Sequence, residues 1–319
     1  AIRSRAVCFP RLCCRSTAAA DDECRAWSRK IASSSSFPAV ERGLWESSVL
    51  ICPPRVPSSY PSCVVEVISS HRPLLMGLLA EQPLATLDLQ WVDATGSTNA
   101  DLLQDLSTQA AAGWSIRIAS KQIGGRGRQG RSWESPNGSI AISIAIELNQ
   151  FKPAPNWLSM ITAVALTDSL NKFSSEPIEI KWPNDCLAPN GKVAGILVER
   201  NENFAVIGVG INFFAAPKIA TATHLSITDY VPALAVFIGT LINQIVGTAD
   251  LSDSQVKEFI RPKLSTLGQM VEVKLVSGET FVGSAVSISD TGALIVDKNS
   301  ELLEVVSGDV IHLRSADAR

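Results

Sequence analysis

The chain has 319 residues, of which 46% are hydrophobic and 18% are charged, an ordinary composition for a globular protein with room for two domains. No apolar run reaches the roughly 18 residues that a membrane-spanning helix needs, so the sequence predicts no contact with a membrane. The formal net charge of −3 argues against nucleic acid as the main partner.

The first 75 residues differ in composition from the rest of the chain. They contain ten Lys or Arg and six Asp or Glu, whereas the other 244 residues contain eighteen and twenty-five. They show no helical or strand period, and they include four consecutive serines at 33–36. The first methionine, Met76, stands just before the globular pattern begins. We therefore expect residues 1–85 to be disordered or a non-native extension, with an organelle transit segment as the alternative.

Cysteine and histidine show no metal-binding pattern. Six of the seven cysteines lie before residue 64, and the three histidines, His71, His224 and His312, are far apart in the sequence. A zinc site or a disulfide framework needs regular spacing. We therefore expect a reduced, cytoplasmic protein without structural metal, or an organellar one if the first residues are a genuine transit segment.

The first regular elements begin at residue 87. Residues 87–93 alternate as a half-buried strand, and the polar run 95–99 offers an N-cap to a helix that starts near Ala100. Residues 114–120 form a second predicted strand. Residues 138–148 form a third, with the large side chains on one face.

The middle of the chain continues the same sheet. Residues 157–173 have the apolar spacing of a helix with one buried face. Strands are predicted at 178–182, where Pro183 ends the run, and at 193–199 and 204–212, which pair as a hairpin. We therefore predict an α+β sheet domain over residues 86–264 that carries its loops on one face.

The last part of the chain predicts a second, smaller domain. Helical periods at 225–246 and 254–264 precede it. Four short predicted strands with glycine turns between them then occupy 271–275, 280–286, 292–296 and 302–306. Short strands at this spacing predict a small C-terminal β-barrel at residues 265–316.

A loop at residues 121–131 combines glycines with arginines. Its four glycines allow a close backbone approach, and its three guanidinium groups are forked donors suited to phosphate or carboxylate. A solvated arginine loop or a nucleic-acid patch is the simpler reading of such a run alone. The G-x-G-x-x-G match at 125–130 is not a dinucleotide fingerprint, because residues 132–138 are a polar turn that leads into a strand.

Five motifs in order carry a family resemblance. They are Ser97-Thr98-Asn99, the Gly/Arg run 125–131, Lys181-Trp182-Pro183-Asn184-Asp185, the run 191–197 and the run 208–212. In this order and spacing, over roughly residues 87–315, the chain resembles the biotin protein ligases. Some members of that family carry an N-terminal winged helix-turn-helix. Residues 1–85 show no such pattern, so the resemblance is to the monofunctional type, without DNA binding.

The resemblance implies a fold, an activity and partners. The expected fold is a mixed-sheet catalytic domain of the biotin/lipoate ligase type followed by the small β-barrel. The expected activity is ATP-dependent conversion of biotin to biotinyl-5′-AMP, then transfer of biotin to a lysine of a biotin carboxyl carrier domain. ATP with Mg²⁺ is the implied co-substrate, no tightly bound prosthetic group is expected, and a homodimer through the catalytic sheet is an option.

The resemblance also assigns roles to residues. Lys192, Arg126 and Arg128 are the expected catalytic cations, since the reaction brings two anions together. The expected contacts to biotin or biotinyl-AMP are Ser97, Thr98, Asn99, Gln122, Gly125, Arg126, Gly127, Arg128, Arg131, Trp133, Lys192, Gly195 and Asn212. Asp185 is a candidate Mg²⁺ ligand, with turn capping as its simpler role.

Several simpler readings stay open beside these roles. Lys192 can be a solvated turn lysine, Ser97 and Thr98 can serve only as helix caps, and Gly195 can mark a bulge. Cys186 is expected to be a small buried residue rather than a nucleophile. A lipoate-type ligase on a related fold is the nearest rival activity, and a non-catalytic adenylate- or RNA-binding protein is the rival from another class.

Overall fold

A computed structural model of the protein describes residues 72–80, 87–108, 114–201, 203–227 and 230–313. The expectations for residues 1–71 lie outside the described residues. The helices, in chain order, are α1 (Arg72–Ala80), α2 (Thr98–Ser107), α3 (Trp157–Leu170), α4 (Tyr230–Thr248) and α5 (Asp253–Ile260).

The strands fall into two groups along the chain. The first group is β1 (Leu87–Val92), β2 (Trp114–Ala119), β3 (Ser139–Glu147), β4 (Glu179–Lys181), β5 (Asp185–Ala188), β6 (Gly191–Arg200) and β7 (Phe204–Asn212). The second is β8 (Met270–Leu275), β9 (Thr280–Ile288), β10 (Leu294–Lys298), β11 (Glu301–Val305) and β12 (Gly308–His312). The sequence did not predict α1, β5 or β12.

The first seven strands form one mixed sheet of order β1-β2-β3-β7-β6-β5-β4. Strands β1 and β2 are parallel, and the other neighbours are antiparallel. The hairpin of β6 and β7 puts Gly195 opposite Gly210, and Asp185 on β5 lies opposite Gly195 from the other side. The predicted mixed-sheet fold is confirmed.

The two faces of this sheet differ in side-chain size. Strand β3 turns its isoleucines, such as Ile142 and Ile144, into the core, together with α3 and α4. Alternation places small residues on the opposite face, including Ala141 and Ser143. Strands β6 and β7 present Gly195, Gly208 and Gly210 to that side, which we call the glycine face. Helix α2 covers one end of it through Leu102 and Leu106.

Helix α4 is a long apolar helix of the catalytic domain. It is 19 residues long and apolar enough to cross a membrane by length and composition. Its polar interruptions, such as Thr240 and Asn243, kept it from appearing as an unbroken apolar run. Most of the helix is buried against α3 and the sheet, and a core helix passes the same test.

Helix α1 lies before residue 86, where the predicted catalytic domain begins. Leu75 and Leu79 are at most 2% exposed and belong to the main core. A nine-residue amphipathic segment shows only two or three turns of period, too few to stand out in the sequence. The folded part of the chain therefore includes residues 72–80.

The C-terminal strands form an antiparallel sheet of order β11-β10-β9-β8-β12, with five strands where four were predicted. Among the described residues no hydrogen-bonded ladder joins β11 to β12. Trp182 attaches this sheet to the catalytic domain. Its Nε1 donates to Gly292 O at 2.9 Å, and its backbone N donates to Thr266 Oγ1 at 2.9 Å.

Candidate active site

A cavity of about 1130 Å³ opens over the glycine face. Of the residues that the sequence predicted for the binding site, Gly125 alone does not line it. Gly125 lies behind the wall, where its carbonyl accepts from Trp133 N at 2.8 Å. The predicted residues that line the cavity are Ser97, Thr98, Asn99, Gln122, Arg126, Gly127, Arg128, Arg131, Trp133, Asp185, Lys192, Gly195 and Asn212.

The floor of the cavity is made by glycines under an indole. A Cβ at Gly210 would lie 2.6 Å from Trp133 Nε1, and a Cβ at Gly195 would lie 2.9 Å from Trp133 Cζ3. Such distances are too short for any side chain. The pair of glycines therefore leaves a flat slot against the sheet, and the Trp133 ring fills it in this structure.

The N-terminus of α2 forms the polar end of the cavity. Ser97 caps the helix by accepting from Ala100 N, so its capping role is present. Thr98 donates to Gln122 Oε1 from its backbone N at 2.9 Å and from Oγ1 at 3.1 Å. These short hydroxyl and amide groups are suited to the polar edge of a small ring.

Asn99 attaches this helix end to the sheet below it. Its carboxamide lies over Gly208, where a Cβ would meet the Asn99 side chain. Ser143 donates to Asn99 Oδ1 and lies 2.7 Å from Thr98 Oγ1. Asn99 Nδ2 donates to Leu197 O at 3.3 Å and to Glu199 Oε2 at 2.8 Å. Asn99 is 5% exposed, so its polar atoms depend on these partners.

Lys192 and Asp185 form an ion pair across the glycine floor. The Lys192 Nζ lies 2.6 Å from Asp185 Oδ1 and 5.4 Å from the centre of the Trp133 ring. A Cβ at Gly195 would lie 2.9 Å from that same Nζ, so the glycine is what lets the lysine reach across. Both side chains are largely buried, at 30% and 22% exposure. Lys192 is therefore not a solvated turn lysine.

The Gly/Arg loop folds back on itself above the cavity. Gly127 N donates to Arg131 O at 2.7 Å, and Arg131 N donates to Arg128 O at 3.2 Å. Gln129 has a φ of 56° and Gly130 a φ of 73°, so two successive residues are left-handed. Glycine adopts that conformation easily, which explains its presence at the second position.

Each arginine of the loop has a partner on another element. Arg126 donates to Glu199 Oε2 at 3.0 Å, and Arg131 pairs with Asp309 Oδ1 at 2.8 Å. Arg128 donates to Asn184 Oδ1 at 3.2 Å and to Ser307 Oγ at 3.3 Å. The C-terminal sheet therefore contributes to the site.

Burial changes the titration of several groups around the cavity. It lowers the pKa of the Arg128 guanidinium and of the Lys181 ammonium, although Asp185 opposes both shifts. Burial, with the nearby Lys181 charge, also lowers the pKa of His312, whose Nε2 lies 3.0 Å from Thr266 Oγ1. Lys181 is thus not an exposed charge, and the site concentrates positive charge in a partly dry space.

Asn212 and Cys186 are both buried. Asn212 Nδ2 donates to Thr223 O at 3.1 Å and to Lys192 O at 3.4 Å, and its buried Oδ1 has no partner among the described residues. Cys186 is fully buried, and burial raises the pKa of its thiol well above the usual range. The expectation that Cys186 is no nucleophile fits this placement.

The sequence did not point to several residues of the site. These are Ser143, Glu199, Ser307, Asp309 and His312. Ser143 and Glu199 lie on ordinary strands without a motif, Asp309 and His312 belong to strand β12, which was not predicted, and Ser307 directly precedes that strand. Local sequence does not predict a role for a carboxylate at the end of a strand, because its cationic partner is known only from the fold.

The geometry defines a class of enzyme. Five cationic side chains, Lys181, Lys192, Arg126, Arg128 and Arg131, line one cavity together with a flat glycine slot and a polar pocket end. This combination suits a small carboxylic acid with a ring, placed beside a nucleotide phosphate. The fold and the site are those of a ligase that activates an acid with a nucleotide.

Comparison with known proteins identifies the family. A family model described as "Biotin/lipoate A/B protein ligase family" matches residues 91–212, and one described as "Biotin protein ligase C terminal domain" matches residues 266–313. The chain is 34% identical over 237 residues to the biotin–[acetyl-CoA-carboxylase] ligase of Mycobacterium tuberculosis, an alignment covering 71% of this chain and 89% of that protein. The chain belongs to the biotin protein ligase family.

Two further proteins show the extent of the likeness. The bifunctional ligase/repressor BirA of Escherichia coli is 28% identical over 263 residues, covering 75% of this chain and 79% of that protein. A biotin protein ligase from Aquifex aeolicus, solved in complex with biotin and ATP, superposes with a TM-score of 0.61 at 24% identity. That superposition covers 72% of this chain and 99% of the other, and it supports the fold.

Proposed function

We propose that the chain activates biotin with ATP and transfers it to a lysine of a biotin carboxyl carrier domain. In the first step a biotin carboxylate oxygen attacks the α-phosphorus of ATP, biotinyl-5′-AMP forms and pyrophosphate leaves. In the second step a neutral lysine amine of the carrier attacks the acyl carbon, an amide forms and AMP leaves. The observation that carries the proposal is the Lys192–Asp185 pair across the glycine floor, surrounded by the loop arginines.

The glycine slot and the α2 end account for the ring of biotin. The slot over the glycines, which the Trp133 ring fills in this structure, is flat and apolar, as the fused rings require. The hydroxyl and amide groups of Ser97, Thr98 and Gln122 lie where they can bind the ureido group. Trp133 must leave the slot, or lie over the ring, when biotin enters.

The cations account for the phosphate chemistry. Two anions must approach each other, and Lys192 is the group that we place between the biotin carboxylate and the α-phosphate. Arg128 and Arg131 are assigned to the phosphates, since guanidinium groups bind phosphate through paired donors. We assign Asn212 to the adenine edge, because its buried Oδ1 is an acceptor without a partner among the described residues.

Magnesium enters this reaction with ATP, as part of the co-substrate. Asp185 was the candidate ligand, but its Oδ1 lies 2.6 Å from the Lys192 ammonium, where a cation would otherwise bind. Among the described residues no group of three His, Cys, Asp or Glu side chains could hold a metal. We therefore assign Asp185 to Lys192 first, and we derive no step through Mg²⁺.

The partner is the carrier domain of a biotin-dependent carboxylase, as the name of the Mycobacterium tuberculosis relative implies. We also propose that the chain acts as a ligase without DNA binding, that two copies can pair through the catalytic sheet, and that it works in the cytoplasm. An operator-binding assay, analytical ultracentrifugation and cell fractionation test these three statements in turn.

The experiment that tests the function compares two acids. Purified protein is incubated with MgATP and either biotin or lipoate, and acyl-adenylate and carrier acylation are followed by mass spectrometry. We expect biotinyl-AMP and a biotinylated carrier, with no product from lipoate. If only lipoyl-AMP forms, the substrate is lipoate and the adenylate mechanism still holds. If neither acid gives an adenylate, the proposal is refuted.

A further inference from the structure

Glu199 lies near the C-terminal end of β6, on the glycine face. Alternation along the strand puts it on the same side as Gly195 and Leu197, and its register partner on β7 is Val206. Its side chain is 25% exposed, so the carboxylate stands partly out of water at the edge of the cavity.

A single oxygen of this carboxylate serves two segments of the site. Glu199 Oε2 accepts from Asn99 Nδ2 at 2.8 Å and from the Arg126 guanidinium at 3.0 Å. Asn99 belongs to the N-terminus of α2, and Arg126 belongs to the Gly/Arg loop. The two segments follow the neighbouring strands β1 and β2 and already share backbone hydrogen bonds, such as Gly124 N to Gly96 O at 2.8 Å. Glu199 adds a side-chain link between the Asn99 carboxamide and the Arg126 guanidinium.

The segment around Asn99 leads to the polar end of the cavity. Asn99 also accepts from Ser143, and the neighbouring Thr98 donates to Gln122. A shift of the Asn99 carboxamide would therefore move the groups that we assign to the ureido ring. Asn99 itself is buried, so its amide needs an acceptor at this place.

The segment around Arg126 is the loop that closes over the cavity. The Arg126 side chain is 47% exposed and has Glu199 as its ion-pair partner at this distance. Without a partner a long, half-exposed arginine samples many rotamers. The ion pair with Glu199 favours the Arg126 rotamer that keeps the loop against the sheet.

We propose that Glu199 is a positioning residue for biotin binding, which fixes the Asn99 carboxamide and the Arg126 guanidinium relative to each other beside the proposed biotin site. This inference rests on the proposed function and adds a determinant that lies outside the motifs. Glu199 does not touch the reacting atoms in this scheme. It acts through Asn99 on one side and through Arg126 on the other.

The test uses Glu199→Gln and Glu199→Met in the full chain. Glutamine keeps an oxygen that can accept from Asn99 but removes the charge that pairs with Arg126, whereas methionine removes both contacts. Glu258→Gln is the control, because Glu258 faces Arg261 at 3.9 Å on α5, outside the cavity lining. Biotin affinity is measured by calorimetry without ATP, and stability by thermal unfolding.

We expect a graded loss of biotin affinity. A charge-assisted contact to a half-exposed arginine predicts a dissociation constant raised about three- to tenfold for Glu199→Gln. Glu199→Met should lose more, and Glu258→Gln should match the parent protein. In an Arg126→Ala background the further change to Glu199→Gln should have no effect, because its partner is already gone.

Three outcomes would overturn the inference. The first is unchanged biotin affinity in both Glu199 variants. The second is that the effects of Glu199→Gln and Arg126→Ala on biotin affinity are additive. The third is a melting temperature that falls in proportion to the affinity, which would indicate a purely structural role. Failure of the proposed function looks different, since the parent protein would then neither bind biotin nor form an adenylate.

Discussion

Replacing Lys192 by methionine is the sharpest test of the site. The substitution keeps most of the aliphatic side chain beside Trp133 and removes only the ammonium. Arg128 and Lys181 still act on Asp185 in the variant, so the carboxylate keeps nearby positive charge. We therefore expect the protein to fold.

The expected magnitudes follow from exposure and chemistry. The Lys192–Asp185 pair has side chains that are 30% and 22% exposed, and with that solvent screening its loss should change stability by about 1 kcal/mol or less. Loss of one preorganised charge beside the developing transition state typically costs about 10²–10³ in rate, which is roughly 2.7–4 kcal/mol. The effect on activity should therefore greatly exceed the effect on stability.

The assay is the initial rate of biotinyl-AMP formation from biotin and MgATP, with urea unfolding measured in parallel. Lys257→Met is the matched control, because Lys257 makes a similar ion pair with Asp290 at 2.7 Å and is 25% exposed, but α5 lies outside the cavity lining. Activity of Lys192→Met within threefold of the parent would refute the reasoning. An equal loss in Lys257→Met would do so as well.

Three other perturbations have defined outcomes. Gly210→Ala should weaken biotin binding and lower the free energy of unfolding in urea by about 1–3 kcal/mol, because the added Cβ would collide with the Trp133 ring. Gly247→Ala is the control: its Cβ would enter open space, so the change should be neutral or stabilising by up to about 1 kcal/mol. Leu75→Ala should cost about 2–5 kcal/mol, and a smaller value would mean that α1 is not part of the core. Burial lowers the pKa of His312 in the folded state. Its contribution to the free energy of unfolding should therefore be fully present above the unfolded pKa of about 6.5 and be lost as the pH falls through the folded pKa. Denaturation midpoints between pH 7.5 and 5.5 should show this loss in the parent and a weaker dependence in His312→Gln.

The sequence predicted most of the catalytic sheet because its strands carry strong patterns. Strand β7 has the predicted limits, and β3 shows the alternation of large and small residues that later defines the two faces. The missed elements are those whose pattern is short. Strand β5 has four residues and follows a proline, and β12 has five residues close to the end of the described chain. Such runs are too brief for a period of two to be distinguished from a turn.

The residues that the motifs singled out for the site line one cavity, except Gly125, but the motifs did not predict the partners of their charges. The sequence assigned the arginines of the loop to substrate anions. In the structure they already contact Glu199, Asn184, Ser307 and Asp309. Pairings of this kind depend on the register of β6 against β7 and on the docking of the C-terminal sheet. Neither can be read from local sequence.

These pairings have a consequence for binding. An arginine that is paired with a carboxylate in the free protein does not gain a full ion pair when phosphate arrives, since it exchanges one anion for another. The Arg131–Asp309 pair is the more open of the two, with side chains 56% and 42% exposed, against 47% and 25% for Arg126 and Glu199. Exchange should therefore be easier at Arg131, toward the phosphates, than at Arg126, beside the ring. The loop can then release Arg131 to ATP while Glu199 continues to hold Arg126.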